Sequence, residues 1–403
     1  MKCRPEDFIV EEIPLYEPCG EGDHVYFGVE KTQMTSNGAA VRIADALGVN
    51  PKQIGMAGQK DAQAVTRQTM SIEHMPSERI SQLAIPGIRI LWTKRHGNKL
   101  KMGHSLGNRF DIRLRETSGA TIEDLRSLLA WLETQGVPNY FGAQRFGSRG
   151  DTWMVGRALL RNDFKEALTL VLGIPTPELE GDAITNARQL FENEDYAASA
   201  AAWPRGFGAN AKLCRIFVQT EGHYKKTLMS VGKKALSFYV SAYQSELFNR
   251  VVSARIGEHA LNRMYIGDLA WKHDKGVCFL VEDADAETIR AQAGEISPTG
   301  PLFGKKMKHP HGNAGAFEQS LLEAEHLTAD MFSKAGPFRA PGGRRPLRIF
   351  PQNSAVTADA DAFGEYCRLT FALPAGAYAT VLLREMCKGN LVDATIQSAT
   401  TSW

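Results

Sequence analysis

The alternation of apolar and polar residues in the first third of the chain constrains its fold more than any other feature. Three runs alternate with the period of a β-strand, residues 25–29, 65–72 and 110–114, and residues 88–92 also indicate a strand. Apolar residues fall instead at helical spacing in residues 37–47 and 121–132. Strands interleaved with helices in this way indicate an α+β domain built on a mixed sheet.

The two predicted helices have recognisable ends. Ser36 or Asn37 is a suitable cap for the first helix. Thr121 and Asp124 form a pair of the capping-box type at the start of the second helix, and Gly136 is placed to stop it.

The middle of the chain differs in character from its ends. Residues 164–202 are rich in alanine and helical in pattern, and residues 236–256 predict a further long helix. Glycine and proline are concentrated in residues 294–304. Two strand-like runs close the chain, at residues 367–373 and 378–383, and the second turns toward a helix at its end.

Length and composition are those of an ordinary globular protein. The 403 residues exceed what one typical core accommodates and suffice for two domains. No apolar run approaches the roughly 18 residues of a membrane span, and the first residues lack a signal-peptide core. We therefore expect a cytoplasmic protein with no membrane partner.

The cysteines and histidines do not follow a metal-binding pattern. The six cysteines are scattered, at Cys3, Cys19, Cys214, Cys278, Cys367 and Cys387. None forms a CxxC pair, and no spacing with the ten histidines makes a zinc site. We expect reduced, mostly buried thiols and no metal.

Residues 58–68, with the sequence GQKDAQAVTRQ, place Lys60 and Asp61 side by side just before a predicted strand. Small neighbours let a ligand approach the backbone, and a nearby lysine favours the ionised carboxylate. Such a segment suits an aspartate that must stay charged and be reached from outside. A solvated turn with a local ion pair explains the same residues.

Residues 138–147 form an unusual loop. Two glycines, three aromatic residues, an asparagine and an arginine stand within ten positions, whereas ordinary connectors are simply polar. The Asn139 side chain offers both a hydrogen-bond donor and an acceptor. Arg145 suits either a phosphate or a structural carboxylate.

The formal net charge of +2 does not by itself indicate a nucleic-acid partner. Basic residues nevertheless cluster in three places: Lys94, Arg95, His96, Lys99 and Lys101; Lys305, Lys306 and Lys308; and Arg344, Arg345 and Arg348. An RNA-binding face assembled from patches has this pattern, and so do three unrelated solvated loops.

Four segments, in the same order along the chain, resemble signatures of the TruD family of tRNA pseudouridine synthases. They are RPEDFIVEE at residues 4–12, GQKDAQAVTRQ at 58–68, PNYFGAQRFG at 138–147 and LPAGAYAT at 373–380. Together they span the chain almost from end to end, which makes the resemblance far more specific than any single motif.

The resemblance implies a pseudouridine-synthase-type catalytic domain with a mixed, largely antiparallel sheet, interrupted by an inserted, mostly helical, family-specific domain. We place the first part of the catalytic domain at residues 1–163, the inserted domain at 164–345 and the C-terminal part of the catalytic domain at 346–403.

The resemblance also implies an activity, the isomerisation of a uridine in tRNA to pseudouridine, typically U13 in the D arm. Neither a metal nor an organic cofactor is implied. Asp61 matches the catalytic aspartate of the family and would act as nucleophile or base. Whether it adds to C6, attacks C1′ or removes the 2′ proton stays open at this level.

Six further residues are expected to contact the substrate. Phe8, Asn139 and Tyr378 match family positions that line the target nucleotide, although Phe8 alone also suits a core residue. We add Lys60, which either holds Asp61 anionic or reaches a phosphate, and Phe141 and Arg145 of the central loop.

Two other classes of function compete with this one. A tRNA-binding module or chaperone without catalysis would explain the basic clusters and aromatic residues equally well. A small-molecule enzyme is disfavoured, because the chain has no P-loop and residues 206–208 lack the third glycine of a dinucleotide site. We expect a monomer whose partner is tRNA, and we predict that reversing Arg344 and Arg345 to glutamate weakens tRNA binding.

Overall fold

The computed structural model describes residues 4–60, 64–115, 120–333, 338 and 340–387. Asp61 lies outside the described residues. The described chain divides into two compact units. Unit 1 comprises residues 4–137 and 349–387, and unit 2 comprises residues 138–348.

The strands, in chain order, are β1 (Phe8–Pro14), β2 (His24–Thr32), β3 (Gly55–Met56), β4 (Val65–Glu73), β5 (Ile88–His96), β6 (Ser105–Leu114), β7 (Val137–Pro138), β8 (Leu269–Lys272), β9 (Val277–Leu280), β10 (Ile296–Leu302), β11 (Gly343–Pro346), β12 (Arg348–Ile349), β13 (Gln352–Asp361) and β14 (Gly364–Pro374).

The α-helices are α1 (Ser36–Leu47), α2 (Ser77–Ser81), α3 (Ile122–Gln135), α4 (Thr152–Leu160), α5 (Phe164–Leu172), α6 (Asp182–Glu192), α7 (Tyr196–Ala202), α8 (Gly208–Gln219), α9 (Tyr224–Met229), α10 (Lys233–Gly257), α11 (Ala284–Gln292), α12 (Gly312–Ala324), α13 (Ala329–Ser333) and α14 (Ala379–Cys387). Short 3-10 helices cover Pro5–Asp7, Pro51–Gln53 and Ala143–Phe146.

Unit 1 is built on an eight-stranded sheet in the order β13-β14-β6-β1-β4-β2-β5, with β3 paired to β4. Strands β1 and β4 run parallel, with Ile9 beside Val65, and the neighbouring pairs are antiparallel. This arrangement confirms the predicted α+β fold with a mixed, largely antiparallel sheet.

The two faces of this sheet carry different residues. On one side, Phe27 of β2 packs with Ile43 of α1 in a buried cluster, and we call this side the helix face. The register puts Phe8, Val10 and Glu12 on the same side, because successive residues of a strand alternate between faces. The opposite side, the second face, carries the residues between these, including Glu11, Gly28 and Glu30.

Most elements predicted from the pattern of unit 1 are confirmed. Helix α3 begins with the capping box of Thr121 and Asp124, and Gly136 is its C-cap. Helix α1 starts one residue earlier than predicted, because the side chain of Thr35 accepts from the Gly38 amide and acts as the cap.

The prediction of a strand at residues 378–383 is wrong. Helix α14 begins at Ala379, and its buried residues include Leu382, Leu383 and Met386. These positions lie at helical spacing as well as within an alternating run, so burial of that face decided between the two patterns.

Unit 2 combines the helices α4 to α13 with a four-stranded sheet in the order β11-β10-β8-β9. The stretch rich in glycine and proline contains β10, so its composition did not prevent a strand. Helix α10 is buried on most of its surface and packs closely on α4. A Cβ at Gly156 of α4 would lie 2.1 Å from the Tyr239 carbonyl oxygen, so only glycine permits this approach.

The division between the units differs from the boundaries drawn from sequence. Residues 138–163 belong to unit 2, whereas we had placed them in the first part of the catalytic domain. The reason is the packing of α4 on α10, which joins this segment to the helical core through Val155, Leu159 and Tyr243.

The basic run at residues 344–348 is not a surface patch. The side chain of Arg344 is 3% exposed and forms a two-pronged pair with Glu318, at 2.7 and 2.8 Å. Its remaining donors reach the hydroxyl and the carbonyl oxygen of Thr299. Burial raises the pKa of the Glu318 carboxyl, and the hydrogen bonds from Arg344 act in the opposite direction. Arg348 is 1% exposed.

Replacing Arg344 by lysine should lower the stability of unit 2 by about 1–3 kcal/mol, since an ammonium cannot reproduce the planar fork and leaves a buried acceptor unpaired. The measurement is denaturant unfolding followed by hydrogen exchange in β10 and β11. Arg290→Lys is the matched control, because Arg290 pairs with Glu287 and Glu295 at the surface. Equal effects of the two substitutions would contradict a structural role for Arg344.

Candidate active site

The segment that carries Asp61 is anchored on both sides. The Lys60 amide donates to the Ser36 hydroxyl at 2.8 Å, and that hydroxyl donates to Gln68 of β4 at 2.6 Å. On the other side, the carbonyl oxygen of buried Ala64 accepts from the Gln33 amide. The chain on each side of residues 61–63 is therefore fixed to α1, to β4 and to the loop after β2.

The Lys60 side chain belongs to a buried polar network on the helix face. Its ammonium lies 3.0 Å from Glu12 Oε2 and donates to Asn108 Oδ1 at 2.7 Å. The two charged side chains are 7% and 1% exposed. The second carboxylate oxygen of Glu12 accepts from the Thr69 amide. The network thus joins β1, β4 and β6 through Lys60, the residue that precedes Asp61 in the chain.

This geometry bears on the two roles considered for Lys60. Among the described residues, its carboxylate partner is Glu12, a residue that the sequence did not single out. An ammonium that is 7% exposed is poorly placed to reach a phosphate. The sequence feature that could have identified Glu12 is the pair of adjacent glutamates in the middle of a strand. One of the two must face the packed side of the sheet.

Phe8 lies on the same face of β1 as Glu12, four residues away, or about 13 Å along the strand. Its ring meets Phe110 edge-on at 6.1 Å, and Phe110 stacks on Phe371 at 5.1 Å. Phe110 and Phe371 are buried, whereas Phe8 is partly exposed at the end of this row of rings. Phe8 therefore combines a packed edge with some accessible surface.

Tyr378 follows a turn at the end of β14. The register places Glu12, Asn108 and Leu373 side by side on β1, β6 and β14. The chain then turns at Gly376, whose φ is +81°, and the Ala377 amide donates to the Pro374 carbonyl oxygen. Tyr378 is half-buried just before α14, and the turn that leads to it starts at the level of the Lys60 anchors.

Asn139 of the central loop lies in unit 2 and is 4% exposed. Its side-chain oxygen accepts from Arg345, and its amide nitrogen donates to the Pro346 carbonyl oxygen at 2.8 Å. A carboxamide has two N–H donors and two acceptor lone pairs, so each end retains one further hydrogen-bonding position.

Phe141 is held by its backbone. Its amide donates to Asn249 Oδ1 at 2.8 Å, and its carbonyl oxygen accepts from Asn249 Nδ2 at 3.1 Å. The Arg345 guanidinium lies 4.2 Å from the centre of the Phe141 ring, and Phe248 meets the same ring edge-on. Arg345 therefore packs against the central loop. The sequence analysis had grouped it with Arg344 and Arg348 in a basic cluster.

Arg145 is fastened to α10. Its Nε donates to Ser245 Oγ at 3.1 Å, and one terminal nitrogen donates to Ser241 Oγ at 2.6 Å. The guanidinium carbon lies 5.1 Å from the centre of the Phe238 ring. Two of the partners of Arg145 are therefore hydroxyl groups of α10.

The predicted site residues thus fall into two groups. Phe8, Lys60 and Tyr378 belong to unit 1, together with the anchors of the Asp61 segment, and Asn139, Phe141 and Arg145 belong to unit 2. Among the described residues, no cluster of three or more His, Cys, Asp or Glu side chains is arranged to hold a metal ion. In the same part of the chain, no helix is both long and apolar enough to cross a membrane.

Comparisons with known proteins agree on one family. The family profile described as tRNA pseudouridine synthase D (TruD) matches residues 1–386. The tRNA pseudouridine synthase D of Geobacter metallireducens is 43% identical over 388 residues, covering 96% of this chain and 94% of the relative. That of Geotalea daltonii is 42% identical over 389 residues, covering 95% of each chain.

A solved structure gives the same answer for the fold. A TruD protein from Methanosarcina mazei superimposes with a TM-score of 0.77 at 26% identity, and the match covers 96% of this chain and 93% of that one. Sequence and architecture therefore match over nearly the whole length, and the chain belongs to the TruD family of tRNA pseudouridine synthases.

Proposed function

We propose that this protein isomerises a uridine of tRNA to pseudouridine, and that the uridine is U13 in the D arm. The observation that carries the proposal is the family match over residues 1–386, which includes the segment GQKDAQAVTRQ around Asp61. Membership of an isomerase family makes catalysis a better expectation than RNA binding alone.

The reaction conserves every atom of the nucleotide. The bond from C1′ to N1 breaks, the uracil ring turns, and a bond from C1′ to C5 forms. The proton on C5 leaves and N1 gains one, so neither an oxidant nor a second substrate takes part. The protein must supply an ionised group near the sugar and base, a site that retains the detached ring, and an acceptor for the C5 proton.

Asp61 is our candidate for the ionised group, as nucleophile or base. The residues on either side of the segment are anchored, since the Lys60 amide donates to the Ser36 hydroxyl and the Ala64 carbonyl oxygen accepts from the Gln33 amide. Lys60 acts as a positioning residue, since its ammonium is buried against Glu12 and Asn108.

Aromatic side chains are proposed to hold the target base after it leaves the RNA stack. Phe8 and Tyr378 are partly exposed and can present ring surface, whereas Phe110 and Phe371 support Phe8 from behind. Base stacking on such rings contributes about 1–3 kcal/mol per base, and an everted base needs a replacement for its lost stacking.

The central loop is proposed to contribute polar contacts to the substrate. Asn139 is the proposed reader of the base edge, Phe141 is fixed by Asn249, and Arg145 carries positive charge on the same loop. We further infer that the protein acts as a monomer in the cytoplasm and uses no metal or cofactor.

The proposal is tested with purified protein and unmodified tRNA transcripts. Pseudouridine is mapped by chemical modification and primer extension, and a transcript with C in place of U13 is the matched control. We expect one new pseudouridine in the first transcript and none in the second. Pseudouridine at another position would refute the U13 assignment only, and binding without any isomerisation would favour the tRNA chaperone.

A further inference from the structure

The part of unit 2 that leads into helix α10 carries an excess of positive charge. Residues 205–245 contain seven lysine and arginine residues but a single acidic residue, Glu221, whereas the whole chain has a formal net charge of only +2. Four of the basic residues are exposed on α9 or in the first turn of α10, which has no acidic residue: Lys225, Lys226, Lys233 and Lys234. Such a concentration of charge on one segment is typical of a surface that binds a polyanion.

The elements packed around this segment do not neutralise its charge. Helices α4, α5 and α8, strand β10 and the 3-10 helix of the central loop pack on α9 or α10. The acidic residues of these elements and their caps are Asp151, Asp163 and Glu166. Asp151 pairs with Arg149, and Glu166 pairs with Arg157. Asp163 alone therefore opposes the four lysines.

One face of α10 connects the lysines to the central loop. Lys234, Phe238, Ser241 and Ser245 follow one another at intervals of four, three and four residues, so they lie on the same side of the helix. Lys234 is exposed, Phe238 is 44% exposed, and Ser245 is buried where Arg145 of the central loop lies against it. The distance along the axis from Lys234 to Ser241, the other serine that binds Arg145, is about 10 Å.

The two serines hold Arg145 in a defined orientation. The Ser241 hydroxyl donates to the Phe238 carbonyl oxygen, and the Ser245 hydroxyl donates to the Ser241 carbonyl oxygen, each at 2.9 Å. A hydroxyl has one hydrogen, so its lone pairs face the guanidinium. The Phe238 ring packs against the same guanidinium, 5.1 Å from its carbon atom. Because serine is neutral, these contacts orient Arg145 without neutralising its charge.

We propose that this face of α10 binds the sugar–phosphate backbone of the substrate RNA, with Lys234 and Arg145 at phosphates and Phe238 between them as a positioning residue. Cationic side chains that follow the backbone, with aromatic rings among them, are the pattern that binds RNA strands. The inference rests on the proposed function, in which Arg145 contacts tRNA, and extends that contact along α10 to its first turn.

The first test measures the affinity of the full-length protein for an unmodified tRNA transcript at several salt concentrations. Lys234→Ala should reduce the salt dependence of binding by about one phosphate contact. Lys275→Ala is the matched control, because Lys275 is exposed in the turn between β8 and β9, beside Asp274, and should leave the salt dependence unchanged. An unchanged slope in Lys234→Ala, or an equal decrease in both variants, would overturn the proposal.

The second test removes the ring and keeps every charge. Phe238→Ala should weaken the affinity for tRNA about tenfold, and Phe238→Tyr should retain most of it. Phe317→Ala is the control, because Phe317 is 37% exposed on α12 of the same unit. Wild-type affinity in Phe238→Ala would overturn the proposal and leave the basic face to an acidic protein partner.

The outcomes separate this inference from the proposed function. If tRNA binding depends on Lys234 and Phe238 but no pseudouridine forms, the proposed function fails while this inference stands. If pseudouridine forms and both alanine variants bind tRNA as the wild type does, only this inference fails.

Discussion

Replacing Asp61 by asparagine is expected to reduce pseudouridine formation by about three orders of magnitude or more, while tRNA still binds. Asparagine has nearly the shape of aspartate but supplies neither a carboxylate nucleophile nor a base. The measurement is single-turnover isomerisation at saturating tRNA, together with the affinity for the same tRNA. Because shape is preserved, a loss confined to the rate locates the effect in the chemical step.

The same substitution at another carboxylate provides the control. Asp45 is exposed on α1, in the same unit, so Asp45→Asn should leave rate and affinity unchanged. If Asp61→Asn keeps a tenth or more of the wild-type rate, Asp61 does not perform the central step. Equal loss of rate and affinity would instead indicate a role in holding the substrate.

The sequence predicted best what depends on neighbouring residues. The capping box at Thr121, the stop at Gly136 and the alternation in β4 are each decided within a few positions along the chain. The four family segments likewise identified the family, because each carries its information locally. Fold class followed from these local features, since strands interleaved with helices have few ways to bury their apolar faces.

The structure differs from the sequence-based predictions where contacts between residues far apart in the chain decide the outcome. Arg344 looked like part of a basic patch because its partner Glu318 stands elsewhere in the sequence. Residues 378–383 fit two periodicities, and only packing of that segment selected the helix. The compact unit starts at residue 138, whereas the inserted domain was predicted from residue 164, and this difference also depends on distant contacts, since the packing of α4 on α10 joins segments far apart in the chain.

In the candidate active site, too, residues were identified from their sequence neighbours, whereas their contacts with distant residues were not predicted. Lys60 was identified from its neighbour Asp61, yet its observed partners Glu12 and Asn108 come from two other strands. Pairing register brings those strands together, and no local pattern reveals it. Trp92 was identified only as part of a strand, because its position over Gly28 depends on the pairing of β5 with β2.

Replacing Lys60 by methionine is expected to lower the stability of unit 1 by about 3–5 kcal/mol, because it leaves the Glu12 carboxylate buried without its cation. Methionine retains the length and apolar stem of lysine, so packing changes little. Hydrogen exchange of β1 and β4 amides measures the loss in unit 1 separately from unit 2. Adding Glu12→Gln should recover much of the stability, since the uncompensated charge is then removed.

Arg67→Met is the matched control for this substitution. Arg67 pairs with Glu30 at 2.8 Å on the second face of the same sheet, but its side chain is 38% exposed. Removing a cation from a pair that water can screen should cost about 1 kcal/mol or less. If both variants lose the same small amount, the buried Glu12 carboxylate does not depend on Lys60 for its stability. A large difference, relieved by Glu12→Gln, would make Lys60 the cation that the buried Glu12 carboxylate requires.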